Sequence, residues 1–151
     1  MTTSEQQLKN AIEHISFEMN RYLYTAHPRF PLPGRYGEVV AESCLLHSRA
    51  IGEFFFGPGK KDDIIISHYI DKLISKDELE NEIEKSKLCW SSYKKRTDKK
   101  LCHLTFDRIN SYPMCMDEKE VINFDKLIEL FETNLPSDYR EKWIKGKSFS
   151  I

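Results

Sequence analysis

No stretch of this chain approaches the ~20 consecutive apolar residues that cross a bilayer. The first ten residues, MTTSEQQLKN, have neither a basic start nor an apolar run, so a secretory leader is not expected there. Glycine and proline number six each, too few for a flexible or polyproline linker. There is no CxxC pair among the four cysteines Cys44, Cys89, Cys102 and Cys115, which are expected to be reduced thiols in a cytoplasmic protein. A zinc site built from Cys89, Cys102, His103 and Cys115 is disfavoured, because the adjacent Cys102 and His103 point to different faces of a helix. No GxGxxG or P-loop is present, so no nucleotide cofactor is expected, and no metal. Net charge is close to neutral, at −1, which excludes a chain that holds nucleic acid by its overall charge.

What is present is a helical alphabet. The 151 residues suit one domain, 40% hydrophobic and 31% charged, large enough to build a core without staples. Ser4 and Gln7 fit a capping box, with Thr3 and Gln6 as an alternative frame. Leu8, Ala11, Ile12, Ile15, Met19, Tyr22 and Leu23 then repeat at helical spacing up to His27-Pro28, where the helix should end. A second helix is expected from about Glu38 to Phe56, apolar on several sides and therefore central, with Gly52 marking a close approach. Gly57-Pro58-Gly59 ends it. Ile64 to Ile66 fit a short strand or a buried extended segment, or else Asp62 or Asp63 caps a short helix. Further helices are expected over about Glu78–Tyr93, anchored by Leu79, Ile83, Leu88 and Trp90, and over about Thr97–Asn110. Phe124 to Phe131 mark the last long helix, and Ser137 to Lys145 a short one. Short connections between four or five helices predict an all-α, antiparallel bundle over residues 1–151.

The uneven charge gives the first functional lead. Residues 85–108 hold eight lysines and arginines against Asp98 and Asp107, a net +6 that leaves −7 elsewhere. Such a stripe can hold phosphates locally, and it can equally be a solvated helix face. Within it, RTDKKLCHLTFDR places Arg96 and His103 seven residues apart, two helical turns. Lys99 stands four before His103 and Asp107 four after. Histidine can give or take a proton near neutrality. Arginine and lysine can hold a phosphate and stabilise developing charge. Asp107 can orient the imidazole, or the two form only a hydrogen-bonded surface pair. On the second helix Glu42, Arg49 and Glu53 share a face, and Arg49 with Glu53 fits an ion pair packed against the Arg96–His103 helix. Phe54, Phe55, Phe56, Phe106, Phe124, Phe131 and Trp90 read as core or dimer surface.

Arg96-x6-His103 resembles the R-x(4–6)-H motif of the HEPN superfamily, the higher eukaryotes and prokaryotes nucleotide-binding domains. KKLCHLTFDR is similar to a recurring N-K-x-x-A-H-L-T-Y-x-R stretch of small bacterial HEPN-like proteins, and ESCLLHSRAIGEFFFG to their L-x-H-A-R-x-L-x-E-F-F helix. Asp62-Asp63 between them also matches. Thr97 follows the arginine where family motifs often carry Asn, Asp or His. The resemblance implies a helical bundle of four or five helices and a homodimer. It also implies a metal-independent endoribonuclease of a toxin–antitoxin or antiviral system, with RNA as substrate and an antitoxin as partner protein. Arg96 and His103 would then be catalytic. Lys99, Lys100 and Arg108 would bind substrate, with Asp107, Arg49 and Glu53 in support. Other members of the superfamily serve only as dimerisation or partner-binding modules, and that alternative stays open. A small-molecule enzyme using His103 and Asp107 is a third.

Overall fold

Ser4 starts the first helix as its spacing with Gln7 predicts: its hydroxyl accepts from the Gln7 amide at 3.2 Å, and the Gln7 side chain accepts from the Ser4 amide at 2.8 Å. In the computed structural model, which describes residues 4–27, 34–102 and 122–148, this helix, α1, spans Glu5–Ala26. Side chains are described for all of these except Glu38 and 99–102. Leu8, Ala11, Ile12, Ile15 and Met19 turn inward, one apolar stripe at the 3.6-residue period. The His27 amide donates to the Leu23 carbonyl at 3.1 Å and closes the helix ahead of Pro28.

Helix α2 spans Arg35–Phe56, starting three residues before the expected Glu38. Gly34 adopts a φ of 60°, a left-handed conformation open to glycine, and so turns the chain into the helix earlier than the proline-rich stretch suggests. The segment after Gly57 forms no strand. It is extended and then makes two 3₁₀ turns, Ile66–His68 and Ile70–Lys72. Neither aspartate caps a helix: the Asp63 carboxylate accepts from the Lys60 amide at 2.7 Å within the preceding turn. Ile66 is buried and Ile64 is not.

The two helices expected between Glu78 and Asn110 are joined over the described stretch, where α3 runs unbroken from Asp77 to Cys102. Thr97, read as a start, is buried, and its hydroxyl donates to the Tyr93 carbonyl four residues back at 2.9 Å. Leu79 and Trp90 anchor α3 in the core and Ile83 packs against it, but Leu88 is 89% exposed. Helix α4 covers Phe124–Thr133, with Asn123 as its cap, and α5 covers Ser137–Ser148. All regular structure among the described residues is helical, as composition and periodicity predict. No helix there is long and apolar enough to cross a membrane.

Contacts define the layout. Helix α1 packs on both α2 and α5, α2 continues to α3, and α3 meets α4. The pairs Arg49–Asp98 and Glu53–Lys94 set α3 antiparallel to α2, and Glu18 meets His47 between α1 and α2. Lys9–Asp138 and Ser16–Trp143 set α5 along α1 in the same direction. The core centres on Phe131 of α4. Its fully buried ring meets Phe54 edge-on at 5.3 Å, Trp143 at 5.8 Å and Tyr69 at 5.9 Å between centroids. Helix α2 is thus less enclosed than its composition suggests: Leu45, Ile51, Phe54 and Phe55 are buried, whereas Val39 and Leu46 face outward.

At Gly52 the Trp90 ring of α3 packs directly on the α2 backbone. A β-carbon there would lie 2.0 Å from a ring carbon of Trp90, which stacks on Tyr93 and tilts against Phe56. Alanine gains ~1 kcal/mol of helix propensity over glycine, but it must displace a buried, doubly packed indole. Overpacking of that kind costs about 1–3 kcal/mol. Gly52→Ala is therefore expected to lower stability in urea denaturation. Equal or greater stability would show that the indole moves aside freely.

Candidate functional site

The cationic end of α3 takes its geometry from how the helix sits on α2. Trp90, Tyr93 and Thr97, three and four residues apart, form the buried line of contact. Beneath it the Tyr93 phenol donates to the Ser48 hydroxyl at 2.6 Å, and Ser48 donates to the Leu45 carbonyl at 2.8 Å. Both serve a purpose inside the core, since buried hydroxyls without partners are costly. Burial pushes the Tyr93 phenol above its ordinary range, although the Ser48 hydrogen bond opposes this, so Tyr93 remains a donor at neutral pH. The half-buried Cys44 thiol is likewise pushed up by loss of solvent and stays protonated.

Beside this line, ion pairs clamp α3 to α2. The Arg49 guanidinium pairs with Asp98, and Lys94 pairs with Glu53. Arg49 and Glu53 do share one face, as their spacing predicts. Their partners, however, stand on the neighbouring helix, where the sequence pattern suggested a bond between the two. Each of these four side chains is about one-third exposed, so the pairs orient the helices more than they stabilise them.

Five cations stand between Lys94 and Lys100, against the single acidic Asp98. With Asp98 engaged by Arg49, the one negative charge in this stretch faces a positive partner on α2. Arg96 is half-buried and lies on the opposite flank of the contact line from Lys94 and Asp98, by the 100° advance per residue. Lys99 and Lys100 lie on the last described turns of α3, their side chains beyond what is described. His103, Asp107 and Arg108, and with them Phe106, lie outside the described residues. The structure thus brings together Arg49, Glu53 and the helix that carries Arg96, Lys99 and Lys100.

Sequence reasoning missed Asp98 and Lys94 as partners, along with the Ser48–Tyr93 hydrogen bond. Each of these joins residues some 40 or more positions apart, which no local spacing reveals. It also missed the His47–Glu18 pair, at 2.7 Å between α2 and α1. No group of three or more His, Cys, Asp or Glu side chains suited to a metal ion occurs among the described residues. Comparison with protein-family models, curated proteins and solved structures finds no match.

Proposed function

We propose that this chain is a HEPN-like, metal-independent endoribonuclease of a toxin–antitoxin or antiviral system, with Arg96 and His103 at its reaction centre. The observation that supports the reading is the cationic end of α3, held against α2 by Arg49–Asp98 and Lys94–Glu53. A phosphodiester needs such a place: fixed cations that meet the charge as it develops on the phosphate oxygens. Arg96 holds the scissile phosphate, with Lys99, Lys100 and Arg108 along the flanking backbone. The ribose 2′-oxygen attacks phosphorus, and the bond to the 5′-oxygen breaks. His103 moves a proton, either from the 2′-hydroxyl or to the departing 5′-oxygen, and Asp107 orients its ring. The products are a 2′,3′-cyclic phosphate and a 5′-hydroxyl. The nucleophile belongs to the substrate, so no metal ion is required to generate it.

The test is incubation of the full chain with single-stranded RNA in EDTA. Cleavage with cyclic-phosphate ends is expected, and a DNA of the same sequence should stay whole because it lacks the 2′-hydroxyl. RNA intact across pH 5–9 would overturn the reading. It would favour the alternative, a non-catalytic dimerisation or partner-binding module that uses the large apolar side chains on the outer face of α2.

A further inference from the structure

Between α1 and α2 lies a cavity of about 190 Å³. Its walls are apolar and buried: Ile15 and Met19 from α1, Ile51 and Phe54 from α2. Its rim includes Ile64, from the extended segment that follows α2, which is 41% exposed. Two polar residues complete the lining, His14 and Glu18, one turn apart on α1. The cavity is therefore an apolar bowl with one acidic edge.

Size limits what can enter. An apolar cavity of about 150 Å³ accepts a benzene ring. The space here takes one such ring and leaves room for an arm of one or two carbons. Apolar walls offer water few partners, and a ring gains the dispersion contacts that an unfilled cavity lacks. A ring seated there also covers more of Ile64.

Glu18 sets the chemistry of the arm. Its Oε2 lies 2.7 Å from Nδ1 of His47 on α2, a contact that holds the carboxylate beside the cavity. An ionised carboxylate offers about four lone-pair sites, so one contact with His47 leaves acceptors for a ligand. It only accepts, and it carries a negative charge. An ammonium group answers both properties. It donates up to three hydrogen bonds, and a charge-assisted bond is roughly twice as strong as a neutral one. A carboxylate ligand would meet a like charge at the same edge.

We infer that the α1–α2 cavity is a binding site for a small aromatic amine, one ring on an arm of one or two carbons, with the ring between Met19 and Phe54 and the ammonium on Glu18. None of the described residues of α3 lines the cavity, so the inference does not depend on RNA cleavage. A chain that binds the amine and leaves RNA intact keeps this site and overturns the nuclease. A chain that cleaves RNA and ignores the amine does the reverse.

Benzylamine is the probe. Titrated into the full chain up to about 10 mM, it should give saturable NMR shifts of the Ile15, Met19 and Ile51 amides. Benzyl alcohol, which keeps the ring and loses the charge, should bind more weakly. Methylamine, with the charge and no ring, and benzoate, with the opposite charge, should leave those amides unmoved. Glu18→Gln should weaken benzylamine at least ~10-fold, the share of one charge-assisted hydrogen bond. Glu129→Gln, exposed on α4, should change nothing. Three results would overturn the proposal: no saturable shift at those amides, benzoate or methylamine binding as tightly as benzylamine, or undiminished affinity in a folded Glu18→Gln chain. If Glu18→Gln fails to fold, the ligand comparison on the unaltered chain decides.

Discussion

Replacing His103 with alanine is expected to cut RNA cleavage by ~10²–10⁴-fold, the usual contribution of one general acid–base group. Arg96→Ala should lose ~10²–10³-fold through its contact with the phosphate. Arg96→Lys should recover only part of this, because an ammonium keeps the charge but not the planar fork that grips two oxygens. In the proposed mechanism the two residues act on one phosphodiester, so the double variant should be little worse than the poorer single one. Melting temperatures of the His103 and Arg96 variants separate chemistry from folding. Activity lost at an unchanged melting temperature assigns the residue to the reaction. Activity spared while the fold weakens would make His103 a structural histidine and end the mechanism proposed for it.

Leu45→Asp is expected to unfold the chain. Leu45 lies on the buried side of α2, 8% exposed, one turn before Arg49. A carboxylate placed there without a partner costs several kcal/mol or takes up a proton. A domain of this size has a total stability of only about 5–15 kcal/mol. Circular dichroism should show most of the helical signal lost at 25 °C, and Leu45→Met, close in volume, should keep it. A folded Leu45→Asp would mean that α2 can rotate to bring position 45 to solvent. One residue further along, Leu46 is 58% exposed, and a charge placed there is expected to leave the fold intact.

Helix α1 was the most legible element because its signals are local. Ser4 and Gln7 act within one turn, and the apolar stripe from Leu8 to Met19 has no competing period. The start of α2 was hidden, since it depends on the left-handed Gly34 and no neighbouring residue announces that conformation. Leu46 and Leu88 look like core residues in a helical pattern, yet both face outward. Periodicity counts apolar residues without knowing which helices come to cover them. The same limit applies at the candidate site. Spacing placed Arg49 and Glu53 on one face of α2, but their partners are fixed by the crossing of α2 and α3, and Thr97 became a core residue through that crossing. The second half of the Arg96–His103 pattern lies outside the described residues, so its reading still rests on resemblance.

The pairing of α1 with α5 also bears on how the chain reaches its fold. Ser16 donates to the Trp143 carbonyl at 2.7 Å across 127 positions, and Lys9 meets Asp138 at 2.7 Å. Contacts of such sequence separation are slow to form, because the entropy of closing the loop is lost before they contribute. On the ribosome, α1 emerges first, and its apolar stripe must wait for α5. At about 5–20 residues per second, the interval is roughly 5–20 s. Among the described helices, α2 is the large neighbour of α1 that is made before α5. Burial of the α1 stripe is therefore complete only once α5 has been made, since Lys9 and Ser16 take their partners from it.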